Sequence, residues 1–434
     1  MDIEIKPVDR ISGEIDVPGD KSISHRAAMI GSIAKGNTRA SNFLTGDDCL
    51  RTIDAFKKMR VKIELNDKTL NVEGKGLRGL KKPEEDLYLG NSGTTMRLIS
   101  GILAGQNFET ILTGDESLSK RPMARIIEPL KLMGANISSV KNNGSAPLKI
   151  KGGNLKSVKY KTNVASAQVK SCVLLAGLYA GGETTVEEPF KSRDHTERML
   201  SHFGANIKIQ GNKTSVEGAG FLSGKIIRIP GDISSAAFFI VMAVILEGSA
   251  LSIRSCGINP TRRRIIDVLK RMGADITIEN EKKEFEPVCD LIIKSSSLTA
   301  TKIKEEEIPL MIDEVPILCV AAAQAKGTTE IVGVGELRVK ETDRVFSIIE
   351  NLRKLNVDCD SKDNNLFITG RKKRFSPVKE AGKPVLLNSF KDHRTAMSTC
   401  VAIAASDSSA RISDAEFIGT SFPGFFDYFN YLKK

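Results

Sequence analysis

Two kinds of helix alternate in phase along this chain of 434 residues, and that alternation limits its fold more than any single motif. The first kind opens on small or polar capping residues and runs into Ala, Gly, Leu, Ile and Cys. Its starts lie near Asp20, Asn91, Ala165, Asp232, Asp313 and Asp392, 67 to 81 residues apart. The second kind closes on segments such as LKLMGANI (130–137), LSHFGANI (200–207) and LKRMGADI (269–276), with related FKKMRVKI (56–63) and LRKLNVDC (352–359). Gly204 and Gly273 stand where a helix C-terminus favours a left-handed residue before a strand. Phe425 to Leu432 reads as a sixth copy without its strand. A repeat this regular is read before any local signal. It predicts three strand–helix–strand–helix–strands units, twice over.

The duplication has its own marker. Pro18-Gly19-Asp20-Lys21-Ser22 is echoed by Pro230-Gly231-Asp232-Ile233-Ser234, with the two prolines 212 residues apart. Two lobes of roughly 210 residues follow, each within the usual domain range and large enough for its own core. Asp20 or Ser22 can cap the first helix, and its free N–H groups face Lys21, Ser22 and Arg26. A helix N-terminus flanked by cations suits a phosphate.

The same arrangement returns along the chain. Gly90 to Thr95 is a run of small residues that lets backbone N–H groups approach a ligand. Arg121 precedes Pro122, which fits the first turn of a helix. Ser166 and Gln168 open one helix and Ser192-Arg193-Asp194 the next. Asp313 stands between an expected apolar strand and a helix, where capping and catalysis are both open readings. In the run Leu337 to Arg344, a helix would put Lys340 and Arg344 on one face, with Glu341 three residues before Arg344. Asp392-His393-Arg394 opens the last small-residue helix. Cations at so many helix starts oppose the helix dipole unless an anion lies among them. Together they could hold a strongly anionic transition state.

Composition narrows the partner. A formal charge of +11 and a pI of about 9.2 suit anions, either nucleic acid or small phosphates and carboxylates. Aromatics make up only 5%, with no Trp, which leaves few platforms for stacking bases. The seven cysteines form no CxxC pair, and Cys172, Cys319 and Cys400 fall in apolar helices, as in a reducing, cytoplasmic setting. The longest apolar run, Ala236 to Leu246, is too short to span a bilayer. Without HExxH, a Walker lysine loop or a Rossmann fingerprint, no metal and no cofactor is implied.

PGDKSISHR (18–26), GNSGTTMR (90–97), LSKRPM (118–123), SAQVKS (166–171), RDHTERML (193–200), IDEVPIL (312–318), LRVKETDR (337–344) and DHR (392–394) together resemble the 3-phosphoshikimate 1-carboxyvinyltransferase family, also called 5-enolpyruvylshikimate-3-phosphate synthase. The resemblance covers nearly the whole chain. It implies an α/β fold, a two-lobed inverse α/β barrel of six βαβαββ-type units, three per lobe, with helices inside and sheets outside. It also implies a discontinuous lobe (1–19 and 232–434), an inserted lobe (20–231), and an active site in a cleft that closes on substrate.

The resemblance further implies transfer of the enolpyruvyl group of phosphoenolpyruvate to the 5-hydroxyl of shikimate-3-phosphate, with release of phosphate through a tetrahedral ketal. Lys21, Ser22, Arg26, Ser166, Gln168, Arg193, Asp313 and Lys340 match the shikimate-3-phosphate contacts. Lys21, Gly93, Arg121, Gln168, Arg344 and Arg394 match the phosphoenolpyruvate contacts, where the herbicide glyphosate competes. Asp313, Glu341 and Lys21 match the catalytic set, with Asp313 as base for the hydroxyl and Glu341 as proton donor to the methylene. A monomer is expected, with neither nucleic acid nor membrane as partner.

The chain departs from the family pattern at Ala167 and Glu336, and before Phe422-Pro423, where many members carry a lysine. The sister family acting on UDP-N-acetylglucosamine carries Asn after the first lysine and usually a Cys in the loop corresponding to Thr113–Arg121. This chain has Ser22 and no such Cys. An RNA-terminal phosphate cyclase-like protein would need ATP and a nucleophilic histidine, for which His393 is the candidate.

Overall fold

The structure is a computed structural model and describes residues 1–218, 220–378 and 384–434. Its internal contacts divide the chain into two compact units. Gly19–Ile229 form one, and Met1–Pro18 with Pro230–Lys434 form the other.

The helices, numbered in chain order, follow the alternation in the sequence. The small-residue kind gives α1 (Lys21–Ile33), α3 (Gly93–Ala104), α5 (Ala167–Gly177), α7 (Ile233–Ile245), α9 (Val315–Gln324) and α11 (His393–Ala404). The second kind gives α2 (Asp47–Lys58), α4 (Ala124–Leu132), α6 (His195–His202), α8 (Arg264–Arg271), α10 (Arg344–Lys354) and α12 (Phe425–Leu432).

The two kinds are buried differently, and their residues explain why. Every residue from Ile233 to Val244 in α7 and from His393 to Ala404 in α11 is buried. A helix as apolar around its circumference as α7 belongs in a core, and α7, α9 and α11 pack against one another. Small side chains permit the approach. A Cβ on Gly101 of α3 would lie 2.2 Å from the Cys172 carbonyl oxygen of α5. By contrast, α8 buries Ile265, Ile266, Val268 and Leu269 and keeps Arg264, Asp267 and Lys270 outside. Two positions past the end of each of α2, α4, α6, α8 and α10 stands a left-handed residue: Arg60, Gly134, Gly204, Gly273 and Asn356. A left-handed residue there closes the helix and turns the chain into the next strand.

One sheet pattern recurs in both units. In Gly19–Ile229, strand Leu87–Tyr88 runs parallel to Glu109–Thr113, with α3 as the crossover, and the antiparallel strands Leu148–Lys151 and Asn136–Ser139 complete the sheet. Lys159–Lys161, Glu183–Glu187, Lys213–Glu217 and Ile207–Gln210 repeat this order. Parallel neighbours need a crossover, and a helix supplies it. The first sheet of each unit takes its parallel edge strand from the stretch just before the chain passes from that unit to the other. Ile226–Arg228 pairs with Lys35–Ser41, and Ser12–Ile15 pairs with Ala250–Gly257. Among the described residues the last sheet has three strands: no hairpin follows α12, and Ile3–Ile5 pairs with Ala410–Ser413 instead.

Three local expectations are corrected. Pro122 does not open a helix: α4 starts at Ala124, and Leu118–Lys120 is a 3-10 turn. The segment leading to Asp313 is not a strand: Glu305–Leu310 is a 3-10 helix containing Pro309. Lys340 and Arg344 do not share a helix. A 3-10 segment ends at Val339 and α10 begins at Arg344, because Asp343 caps it by accepting the Phe346 N–H at 3.0 Å.

Candidate active site

In Gly19–Ile229, the candidate residues gather at helix starts. Asp20 caps α1, accepting the Ile23 N–H at 2.9 Å. Lys21 is the first residue of α1, and its ammonium lies 3.2 Å from Asp48 at the start of α2. Arg26 is buried one turn on. It donates to the Ser22 carbonyl at 2.9 Å, to Thr196 Oγ1 at 2.7 Å and to Ser171 Oγ at 2.9 Å. The first turn of α1 is thus tied to α5 and α6. His25, buried beside them, meets Thr52 Oγ1 at 2.7 Å. Burial first, then Lys21 and Arg26, hold its pKa well below the ordinary 6.5, so the ring stays neutral.

A second group forms where α3 and α5 begin. Ser92 caps α3, and Gly93 is its first residue. A Cβ on Gly93 would lie 3.1 Å from Arg121 Nη1 and 3.2 Å from Arg97 Nη1. The glycine therefore lets two guanidinium groups crowd a helix N-terminus. Arg121 is held by the Asn91 carbonyl at 3.2 Å, by Asn91 Oδ1 and by Ser117 Oγ at 3.3 Å. Arg97 donates to Gln168 Oε1 at 2.5 Å and to the Pro122 carbonyl at 3.2 Å, while Gln168 Nε2 donates to Thr94 at 3.0 Å. Ser166 caps α5, and Ala167 is that helix's first residue. Arg193, partly exposed, immediately precedes the Asp194 cap position of α6.

The other unit carries the carboxylates. Arg344, 1% exposed, donates through Nε to Asp392 at 3.0 Å, through Nη1 to Asp313 at 3.1 Å and through Nη2 to Glu341 at 2.7 Å. Burial works to lower its pKa, but Asp392, Glu341 and Asp313 outweigh it and the pKa is raised. Arg394 donates to the Asp313 carbonyl at 3.3 Å, and its Nε lies 3.6 Å from Asp313 Oδ1. Asp313 is not a cap: Glu314 occupies the cap position of α9. Glu314 is buried instead, within 3.7 Å of Arg262 and 3.9 Å of Arg394, and it accepts from Ser234 of the second Pro-Gly-Asp motif. Lys340 is partly exposed at the end of the 3-10 segment.

The structure thus joins Asp313, Glu341, Arg344 and Arg394 in one cluster, Gly93, Arg121 and Gln168 in a second, and Ser22 with Arg26 in a third. Asp48, Arg97, Asp392 and Glu314 were not among the expected site residues. Each faces an expected one across the fold, and no local pattern marks such a pairing. Among the described residues, no cluster of three or more His, Cys, Asp or Glu could hold a metal, and no helix is long and apolar enough to cross a membrane.

A sequence model of the family described as EPSP synthase (3-phosphoshikimate 1-carboxyvinyltransferase) matches residues 5–429. The chain belongs to this family. It is 49% identical to the 3-phosphoshikimate 1-carboxyvinyltransferase of Endomicrobium trichonymphae, over 99% of both chains. It is also 49% identical to that of Geobacter sp. (strain M21), over 97% of this chain and 96% of the relative. The EPSP synthase of Acinetobacter baumannii superposes with a TM-score of 0.88 at 45% identity, covering 100% of this chain and 98% of that one. The fold is also that of the enolpyruvyl transferase NikO from Streptomyces tendae, with a TM-score of 0.78 at 17% identity.

Proposed function

We propose that this chain transfers the enolpyruvyl group of phosphoenolpyruvate to the 5-hydroxyl of shikimate-3-phosphate and releases phosphate. One observation carries the mechanism: a single buried guanidinium, Arg344, holds the candidate base Asp313 and the candidate acid Glu341 on neighbouring nitrogens. An incoming carboxylate competes with those two for Arg344, while Asp392 on Nε keeps the guanidinium in place. Taking up phosphoenolpyruvate therefore releases both carboxyl groups for proton work.

Glu341, with Lys340 adjoining it, protonates the methylene carbon, and C2 becomes cation-like. The 5-hydroxyl oxygen attacks C2 as Asp313 accepts its proton, giving a tetrahedral ketal with a methyl group. Glu341 then takes a methyl proton as the C–O bond to phosphate breaks, and the hydroxyl's proton leaves with the phosphate. Arg121, Arg394 and Lys21 hold the anionic groups throughout, at a cost paid in folding rather than during reaction. Ser22, Arg26, Ser166, Gln168 and Arg193 hold the phosphorylated ring.

In this reading each unit is a lobe of an inverse α/β barrel, and the chain is built of six βαβαββ-type units. The recurring sheet order and the buried small-residue helices support it. The protein acts as a cytoplasmic monomer. The test is inorganic phosphate release from phosphoenolpyruvate with shikimate-3-phosphate, with UDP-N-acetylglucosamine, or with neither. Release only with shikimate-3-phosphate is expected. Release with the nucleotide sugar, or with neither acceptor, would overturn the assignment.

A further inference from the structure

Beneath the proposed ring-phosphate seat lies a charged cluster that the reaction scheme does not use. Lys170 of α5 is 2% exposed. Its ammonium lies 2.8 Å from Glu188 Oε2 and 2.8 Å from Glu197 Oε1, both also buried, and 3.4 Å from the Ser192 carbonyl. Its three protons thus meet three acceptors. Burial lowers the Lys170 pKa, but Glu197 and Glu188 outweigh it, so the ammonium form is favoured.

Apolar side chains of the same volume would fill such a place at less cost, since desolvating three charges is expensive. What the cluster supplies is geometry. Glu188 Oε2 also accepts the Ser192 N–H at 3.4 Å. Both backbone polar groups of Ser192 are therefore bound to the cluster, and the next residue is Arg193. Glu197 lies four residues after Arg193, in the first turn of α6. Lys170 lies two residues after Gln168 and four after Ser166 on α5. The next positions repeat the tie on the adjoining side. Ser171 Oγ lies 2.6 Å from Thr196 Oγ1, and Arg26 donates to both. The residue pairs 170–171 and 196–197 thus fasten α5 to α6 in two layers, one facing Arg26 and one locking the segment that presents Arg193.

We propose that Lys170, Glu188 and Glu197 are positioning residues that set Arg193 against Ser166, Gln168 and Arg26, and so determine affinity for the phosphorylated acceptor. The inference rests on the functional reading above. Loosening the cluster moves Arg193 without touching the residues around Arg344. A displacement of about 1 Å in a binding group is enough for effects of tenfold or more.

The test is steady-state phosphate release by Lys170→Met and Glu188→Gln. KM for shikimate-3-phosphate should rise at least about tenfold, with KM for phosphoenolpyruvate within about twofold of wild type. In an Arg193→Met background, Glu188→Gln should add almost nothing, because both changes remove one interaction. A merely structural role predicts additive losses and a rise in both KM values. If Lys170→Met does not fold, Glu188→Gln alone and with Arg193→Met decides. An unchanged acceptor KM, or full additivity, would overturn the proposal while wild-type turnover left the functional reading standing. No turnover by the wild type would remove both.

Discussion

Replacing Gly93 by alanine tests the crowding at the start of α3. Gly93 does not have a positive φ, so its backbone accepts alanine, and removing a glycine from a helix gains about 0.5 kcal/mol. The cost falls on the neighbours. The new methyl would lie 3.1 Å from Arg121 Nη1 and 3.2 Å from Arg97 Nη1, and each must give way by a few tenths of an ångström. Neither is free to swing, since Asn91 and Ser117 hold one and Gln168 and the Pro122 carbonyl hold the other. Weakening one charge-assisted contact to the ligand by about 1.4 kcal/mol corresponds to tenfold in affinity. Gly93→Ala should therefore melt within about 2 °C of wild type, with KM for phosphoenolpyruvate raised about tenfold and KM for shikimate-3-phosphate changed less than about threefold. Coupled phosphate release, with each substrate varied in turn, measures both. An unchanged phosphoenolpyruvate KM would refute the placement of Arg121 and Gly93 around that substrate, and a large fall in stability would refute the packing argument.

Two further outcomes are expected. Glu341→Gln keeps the shape but not the proton, so kcat should fall by about 10² to 10⁴ with the fold intact by circular dichroism; turnover within a few-fold of wild type would remove Glu341 from the scheme. His25 is held neutral in the folded chain, whereas the unfolded chain takes up its proton below about pH 6.5. Its contribution is therefore full above that pH and is lost as pH falls toward the depressed folded pKa, at up to about 1.4 kcal/mol per pH unit. Urea unfolding between pH 5 and 7 (roughly the range of the unfolded titration) should show a shallower slope in His25→Gln than in wild type, and an identical slope would contradict the buried neutral ring.

The helix alternation was legible because composition alone separates its two kinds. The helix α7 has no charged residue to expose, whereas α8 carries its charges on one side only. Left-handed helix ends were legible at Gly204 and Gly273, and Arg60 and Asn356 adopt the same conformation without glycine's mark. The start of α10 was not legible because a local hydrogen bond decides it. Asp343 begins α10 at Arg344 and leaves Glu341 outside the helix, yet still within reach of Arg344. The partners of Arg97 and Asp392 are illegible for a different reason. Arg97 meets Gln168 from 71 positions away and Asp392 meets Arg344 from 48, and spacing carries no trace of such partners.

In the proposed reaction one carboxyl group adds a proton to the methylene carbon and then removes one from the methyl it creates. Running the reaction in D2O with phosphoenolpyruvate and shikimate-3-phosphate tests this directly, with the product read by proton NMR and mass. The ketal's methyl would carry one deuterium and two protium atoms, so the product's vinyl methylene should contain deuterium, and Glu341→Gln should form labelled product only at its residual rate. A product formed at full rate with no deuterium in that methylene would contradict addition followed by elimination.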